Sequence, residues 1–273
     1  EGRDPMLKDI TLGQYFPGDT AAHRLDPRTK ILLVLLYIIA LFCAKGAAGY
    51  SVLALTLAVC VRVSGVGLRA LVRGLKPVLF IIIFTGVLNL FFTPGTKNLV
   101  EWGPVRISDT GVHNAVFMVL RIMLLIMGTF LMTYTTSPIS LTDGLERLLN
   151  GLKRFRAPVH ELAMMMSIAL RFIPTLIEET DKIMSAQKAR GADFESGNLI
   201  QKAKALIPIL VPLFISAFRR ADELATAMEC RCYHGGEGRT KLHVLKYEGR
   251  DYMALAIGAM ILAGVIALGH FGI

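Results

Sequence analysis

Acidic residues are scarce in this 273-residue chain: Asp and Glu number 21 against 30 Lys and Arg, giving a formal charge of +9 and a pI near 9.5. Cysteine is scarcer still. Two of the four thiols (Cys43, Cys60) fall in apolar stretches and two (Cys230, Cys232) flank one arginine, so no disulfide framework suggests itself. The phosphate-cradling pattern Gly-x4-Gly-Lys-Ser/Thr is missing. Gly235-Gly236-Glu237-Gly238 lacks the lysine and a following helix, and reads as a flexible loop; ATP is not bound by that route. His160-Glu161 opens like the zinc peptidase motif, but Met164 stands where the second imidazole belongs. Cys230-x-Cys232 with His234 offers three candidate ligands without a second cluster, so no metal site is assigned. No nucleophile or acid–base pair appears either. The chain is expected to have no catalytic residue and no cofactor.

Apolar residues, by contrast, are abundant: 53% of the chain is hydrophobic and the mean hydropathy is +0.54, which points to an integral membrane protein. Yet 19% of residues are charged, mostly in blocks. A membrane part and a sizeable aqueous part are therefore expected. The positive balance fits Lys and Arg placed beside spans on the cytoplasmic side rather than a nucleic-acid surface. Glu1–Pro5 precede a candidate initiator at Met6 and no cleavable signal pattern follows, so the first span is expected to act as its own insertion signal.

After a polar lead-in, Asp26-Pro27 has the form of a helix start, with Asp as N-cap and Pro at the first helical position. Spans are expected over residues 31–44, 47–61, 77–93 and 114–136, with one more over 253–273; the first three are short and must borrow flanking residues or tilt. Lys and Arg number five before the first span (Arg3, Lys8, Arg24, Arg28, Lys30), one before the second (Lys45), four before the third (Arg62, Arg69, Arg73, Lys76) and two before the fourth (Lys97, Arg106). This alternation places the N-terminus in the cytoplasm. Arg121 lies inside the fourth span, where a charge costs about 2.5 to 3.5 kcal/mol at mid-membrane; it either snorkels outward or makes a polar contact in the bundle or with a partner.

The reading divides the chain into a cytoplasmic lead-in (1–29), four transmembrane helices (30–136), a cytoplasmic helical domain (137–250) and a final span (251–273). Two apolar runs inside the third part, 162–177 and 205–218, are under 18 residues and carry Arg171 and Pro174, or Pro208 and Pro212. Crossing would export basic residues, so both are expected to lie along the membrane face. Ser140-x-x-Asp143 resembles a capping box opening a short helix that closes near Gly151. Farther on, Phe214, Phe218, Ala221, Ala225 and Met228 recur at steps of four and three, an apolar stripe opposite Arg219, Arg220, Asp222, Glu223 and Glu229, suited to packing against another helix or a partner. Met164-Met165-Met166 is either an adaptable contact surface or plain helix packing.

Two segments of this tract resemble each other. One ends Ser185-Ala186-Gln187-Lys188-Ala189-Arg190-Gly191 and the other Thr226-Ala227-Met228-Glu229-Cys230-Arg231-Cys232, each a hydroxyl, Ala, two longer residues, then small-Arg-small. An arginine at a helix end satisfies the macrodipole, and its rigid fork can also plug into a carboxylate or carbonyl cluster on a partner.

Together with Gln14-Tyr15-x-Pro17-Gly18 and His23-x-Leu25-Asp26-Pro27-Arg28-x-Lys30, these motifs make the chain resemble the transmembrane scaffold, or T component, of energy-coupling factor transporters. The likeness runs from about Gln14 over most of the chain. It implies an all-α membrane protein of about five transmembrane helices plus a coupling domain of amphipathic helices. It also implies two docking motifs, Ala189-Arg190-Gly191 and Cys230-Arg231-Cys232, inserted into grooves of two ABC-type ATPase subunits, and a membrane-embedded substrate-binding subunit held by the rest of the coupling domain and the spans. The expected role is a non-catalytic scaffold for ATP-driven uptake of a vitamin or other micronutrient in a prokaryotic plasma membrane, with lipid and no nucleic acid as further surroundings. The second motif departs from the family's Ala-Arg-Gly: Cys232 adopts positive φ less cheaply than Gly, so this helix is expected to run on toward Gly235. A self-contained secondary carrier is the alternative reading. It would place ionisable residues near the midplane of several spans, and only Arg121 answers to that.

Overall fold

The computed structural model describes residues 15–93, 98–102, 105–150, 158–194, 198–235 and 245–270. The protein is an all-α membrane protein whose described residues fall into two compact units, one within residues 13–147 and 245–273 and the other within 148–244. In the larger unit, α1 (Pro27–Cys43), α2 (Ala47–Ser64), α5 (Asp109–Thr135) and α9 (Gly249–His270) surround a core of Leu41, Tyr50, Leu53, Leu57, Leu124 and Val265. Helix α1 packs chiefly on α9, and α2 on α5. The third span starts earlier than expected. Leu68–Leu75 (α3) runs through a 3-10 turn at Lys76–Val78 into α4 (Leu79–Phe92), because Pro77 has no N–H for the α-helical ladder. Leu71 and Leu75, one turn apart, are buried while Arg69 and Arg73 face out, so α3 is amphipathic rather than lipid-immersed all round.

Between α4 and α5 lies an antiparallel pair, β1 (Asn98–Trp102) and β2 (Val105–Ser108), with Trp102 opposite Val105. Ser108 then caps α5, its hydroxyl accepting from the Gly111 N–H at 3.0 Å. Helix α6 (Pro138–Leu149) opens one turn before the expected Ser140. Ser137 is the cap, its hydroxyl accepting from the Ser140 N–H at 3.2 Å; the expected end near Gly151 lies outside the described residues.

The segment before α1 is a polar knot. The Asp26 carboxylate caps α1 by accepting from the Arg28 N–H at 2.9 Å and takes the Arg28 fork at 3.0 and 2.8 Å. Its own N–H donates to Asp251 Oδ1 at 2.9 Å, and the second oxygen of Asp251 accepts from the Glu248 N–H at 2.9 Å. One buried carboxylate thus joins the start of α1 to the start of α9. Arg28 also lies 3.9 Å above the Tyr247 ring, and Lys30 Nζ donates to the carbonyls of His23 and Thr135 at 3.2 and 2.8 Å. The His23 ring bridges Thr20 Oγ1 at 2.7 Å and the Phe16 carbonyl at 3.0 Å, while the Phe16 N–H donates to the Tyr134 carbonyl of α5 at 3.0 Å. The His-x-Leu-Asp-Pro-Arg-x-Lys run therefore joins α1, α5 and α9 at one end.

Arg121 turns into the bundle. Its Nε donates to the Tyr50 hydroxyl at 2.8 Å, and the guanidinium lies 5.6 Å from the Phe42 ring centre. Phe42 is next to the end of α1 and Tyr50 sits in the first turn of α2, so the charge is carried to the level of the α1–α2 connection while remaining hydrogen-bonded.

Among the described residues the smaller unit is built on two long helices, α7 (Val159–Ala189) and α8 (Leu199–Cys230). Pro174, Pro208 and Pro212 do not break them. Among the described residues six helical stretches are long and apolar enough to cross a membrane, α7 and α8 included with α2, α3–α4, α5 and α9. The expectation that the two apolar runs are too short to cross is thereby corrected: each is embedded in a longer continuous helix. What argues against crossing is charge, not length.

Candidate functional site

Helix α7 reaches its C-terminus by a repeated set of hydrogen bonds. Ser185 Oγ donates back to the Asp181 carbonyl at 2.8 Å; the N–H groups of Gly191 and Ala192 donate to the carbonyls of Lys188 and Gln187 at 2.9 and 3.0 Å. These last two bonds form a Schellman closure, with Arg190 as C-cap and Gly191 in the left-handed region at φ +87°. Helix α8 does the same 41 residues later (231 − 190). Thr226 Oγ1 donates to the Asp222 carbonyl at 2.9 Å, and the N–H groups of Cys232 and Tyr233 donate to the carbonyls of Glu229 and Met228 at 2.8 and 3.0 Å.

The expectation that Cys232 would push the end of α8 toward Gly235 is overturned. The helix ends at Cys230, and Cys232 itself takes the left-handed conformation at φ +56°, uniquely among described non-glycine residues. The left-handed conformation costs a non-glycine residue about 1 to 2 kcal/mol, and two contacts flank it: the Tyr233 hydroxyl donates to Met164 Sδ of α7 at 3.2 Å, and His234 Nδ1 lies 2.8 Å from the Cys232 carbonyl. Arg190 and Arg231 thus occupy equivalent positions on equivalent caps, and Ala189, Arg190, Gly191, Cys230, Arg231 and Cys232 are all exposed.

What fixes these two ends relative to each other went unseen in the sequence. Arg220 of α8 donates to Glu179 of α7 at 2.7 Å, and the Ser216 hydroxyl also bonds that carboxylate. Going back along α7 from Glu179 to Met164, the partner on α8 moves forward from Ser216 and Arg220 to Tyr233, so the helices run antiparallel through their contact. Each arginine lies eleven residues beyond the ion pair (190 − 179 and 231 − 220), about 16 Å of helix. The two caps therefore point away from one central contact in opposite directions. Glu179 and Arg220 are themselves 41 residues apart, a spacing that could have paired them once the repeat was noticed.

The apolar stripe is brought together on α8 but not covered within the smaller unit. Phe214 and Phe218 are 61% and 67% exposed with rings 6.3 Å apart; Ala221 and Ala225 are exposed and Met228 is half-buried. Ile207, Leu210, Val211 and Ile215, also exposed, extend the patch toward the start of α8. Together these side chains form a contiguous exposed apolar surface along α8.

Residues 18–242 match the family model described as cobalt transport protein (CbiQ). The chain is 51% identical over 263 residues to the energy-coupling factor transporter transmembrane protein EcfT of Ruminiclostridium cellulolyticum, covering 96% of this chain and 98% of the relative. It is 54% identical over 264 residues to that of Clostridium kluyveri (96% and 97%) and 46% identical over 261 residues to that of Bacillus subtilis (96% and 98%). On this likeness over nearly its whole length, the chain belongs to the EcfT family, the transmembrane T components of energy-coupling factor transporters.

Proposed function

We propose that the chain is the non-catalytic coupling scaffold of such a transporter, linking two cytoplasmic ABC-type ATPase subunits to a membrane-embedded substrate-binding subunit and so driving uptake of a vitamin or other micronutrient. The observation that carries this reading is the duplicated cap: two exposed arginines on Schellman closures with the same hydrogen-bond pattern, at opposite ends of one helix pair. Such a device suits a partner presenting two similar grooves, as a pair of ATPases would. The uncovered stripe around Phe214 and Phe218 is then the face for the substrate-binding subunit.

The topology that goes with this role has α1, α2, α3–α4, α5 and α9 crossing and residues 137–250 in the cytoplasm, with the N-terminus on the same side. Sending α7 and α8 across would export Lys182, Lys188, Arg190, Lys202 and Lys204. Affinity purification of the full chain from native membranes tests the proposal. Two ATPase polypeptides and a small apolar subunit are expected to co-purify; recovery of the chain alone, active in transport, would point to a self-contained carrier instead.

A further inference from the structure

In the larger unit the α1–α9 and α2–α5 packings leave an apolar groove of about 580 Å³ between them. It runs along α1 from Lys30 to Ala40, ten residues or about 15 Å by helix rise. That is the depth of one leaflet of a hydrocarbon core about 30 Å thick. The walls are Leu33, Leu57, Leu131 and Ile257, with Tyr37 seated over Gly128. A Cβ at Gly128 would come within 2.6 Å of the Tyr37 ring, so this glycine sets the closeness of α5 to α1 at the groove floor.

Two charged side chains line the groove, and both are cations: Lys30 and Arg250. Lys30 uses two of its three N–H donors on the His23 and Thr135 carbonyls, which leaves one for a ligand oxygen. Arg250 pairs with Glu248 on the exposed side and has further donors in its fork. Both stand at the end of the groove nearest the starts of α1 and α9.

We propose that this groove is a binding site for one anionic phospholipid of the adjacent leaflet, with an acyl chain along Leu33, Tyr37 and Ile257 and the phosphate held by Lys30 and Arg250. A zwitterionic lipid fits the walls equally but gains less from the two cations. The site is separate from the helix ends and does not depend on their role.

The test is native mass spectrometry of the full chain, purified in mild detergent with whatever subunits accompany it, then exchanged into mixtures of phosphatidylglycerol and phosphatidylcholine. One retained phospholipid per chain is expected, with phosphatidylglycerol preferred. Arg250→Gln should weaken that preference about fivefold while leaving the groove occupied, since one cation near the surface contributes on the order of that factor. Ala254→Phe, which fills the groove from α9, should lower retention of either lipid without lowering the melting temperature. Lys30→Gln is less informative alone because Lys30 also ties the lead-in to α5. Absence of a retained phospholipid, equal retention of the two lipids, unchanged retention in Ala254→Phe, or a partner subunit cross-linked through Cys60 in the groove would each overturn the proposal.

Discussion

Arg220 Nη2 and Glu179 Oε2 meet at 2.7 Å, and each residue stands eleven positions before an arginine that closes its helix (231 − 220 and 190 − 179). The ion pair therefore sits at the centre of a device with two like ends. Reversing one charge places like charges together, whereas exchanging both recreates the pair. Arg220→Glu is expected to broaden the distance distribution between spin labels placed at 189 and 230 and to reduce co-purification of ATPase subunits; Glu179→Arg combined with Arg220→Glu should recover both. Failure of the double exchange to narrow the distribution would remove the ion pair from its central role.

The left-handed caps give opposite expectations for their two small residues. No neighbouring atom lies within 4 Å of a Cβ built on Gly191, so Gly191→Ala meets no clash and its cost is purely that of φ +87°, about 1 kcal/mol. Cys232 already bears that cost at φ +56°. Cys232→Gly should raise the melting temperature of the purified chain and Gly191→Ala should lower it, while Cys232→Val, β-branched at positive φ, should lower it further. Equal melting temperatures for all four proteins would show that the caps do not limit stability.

The knot before α1 sets a pH dependence. Burial pushes the Asp26 carboxyl up, but the Arg28 hydrogen bonds outweigh it with help from the Arg28 and Lys30 charges, and its pKa is held below the ordinary value of 3.8. A depressed carboxylate contributes stability above its unfolded pKa and loses it as pH falls through the folded one. The contribution of Asp26 should thus be full and independent of pH near neutrality and decline below about pH 4. Asp26→Asn, which keeps the cap acceptor, should flatten that decline while lowering the plateau. Asp251→Ala should be worse at every pH, because it leaves the N–H groups of Asp26 and Glu248 without their acceptor, at about 1 to 3 kcal/mol each where buried. Thermal melts of the two variants from pH 3.5 to 7 would check both expectations.

Much of this was legible beforehand because it is local. Hydrophobic runs located the long apolar helices, Asp26-Pro27 announced the start of α1, and the two small-Arg-small sequences marked two helix ends. Pro174, Pro208 and Pro212 read as interruptions, yet each sits inside an unbroken helix. Cys232 was judged by intrinsic φ preference, while Tyr233 on Met164 and His234 on the Cys232 carbonyl flank it. Asp251 and Tyr247 carry no signal of their own, since their partners Asp26 and Arg28 lie over two hundred residues away in sequence. Tertiary contact, not local propensity, places Asp251 and Tyr247, and it adds the Tyr233–Met164 bond beside Cys232.

The arginines themselves supply the decisive prediction. Both are exposed on closed caps whose backbone bonds do not involve their side chains, so Arg190→Ala and Arg231→Ala should fold and melt as the parent does. What each removes is a fork for a partner's acceptors, and truncating one side of a buried charge-assisted contact costs about 2 to 5 kcal/mol. Either single change should weaken ATPase co-purification or uncouple hydrolysis from uptake, and the double change should abolish transport. Lysine at either position should restore function only in part, because an ammonium lacks the planar fork. Arg219→Ala, exposed on the polar face of α8, serves as the control and should have little effect. Wild-type recovery of both ATPases and wild-type uptake in the double alanine variant would leave the arginines as charges that merely complement two helix dipoles.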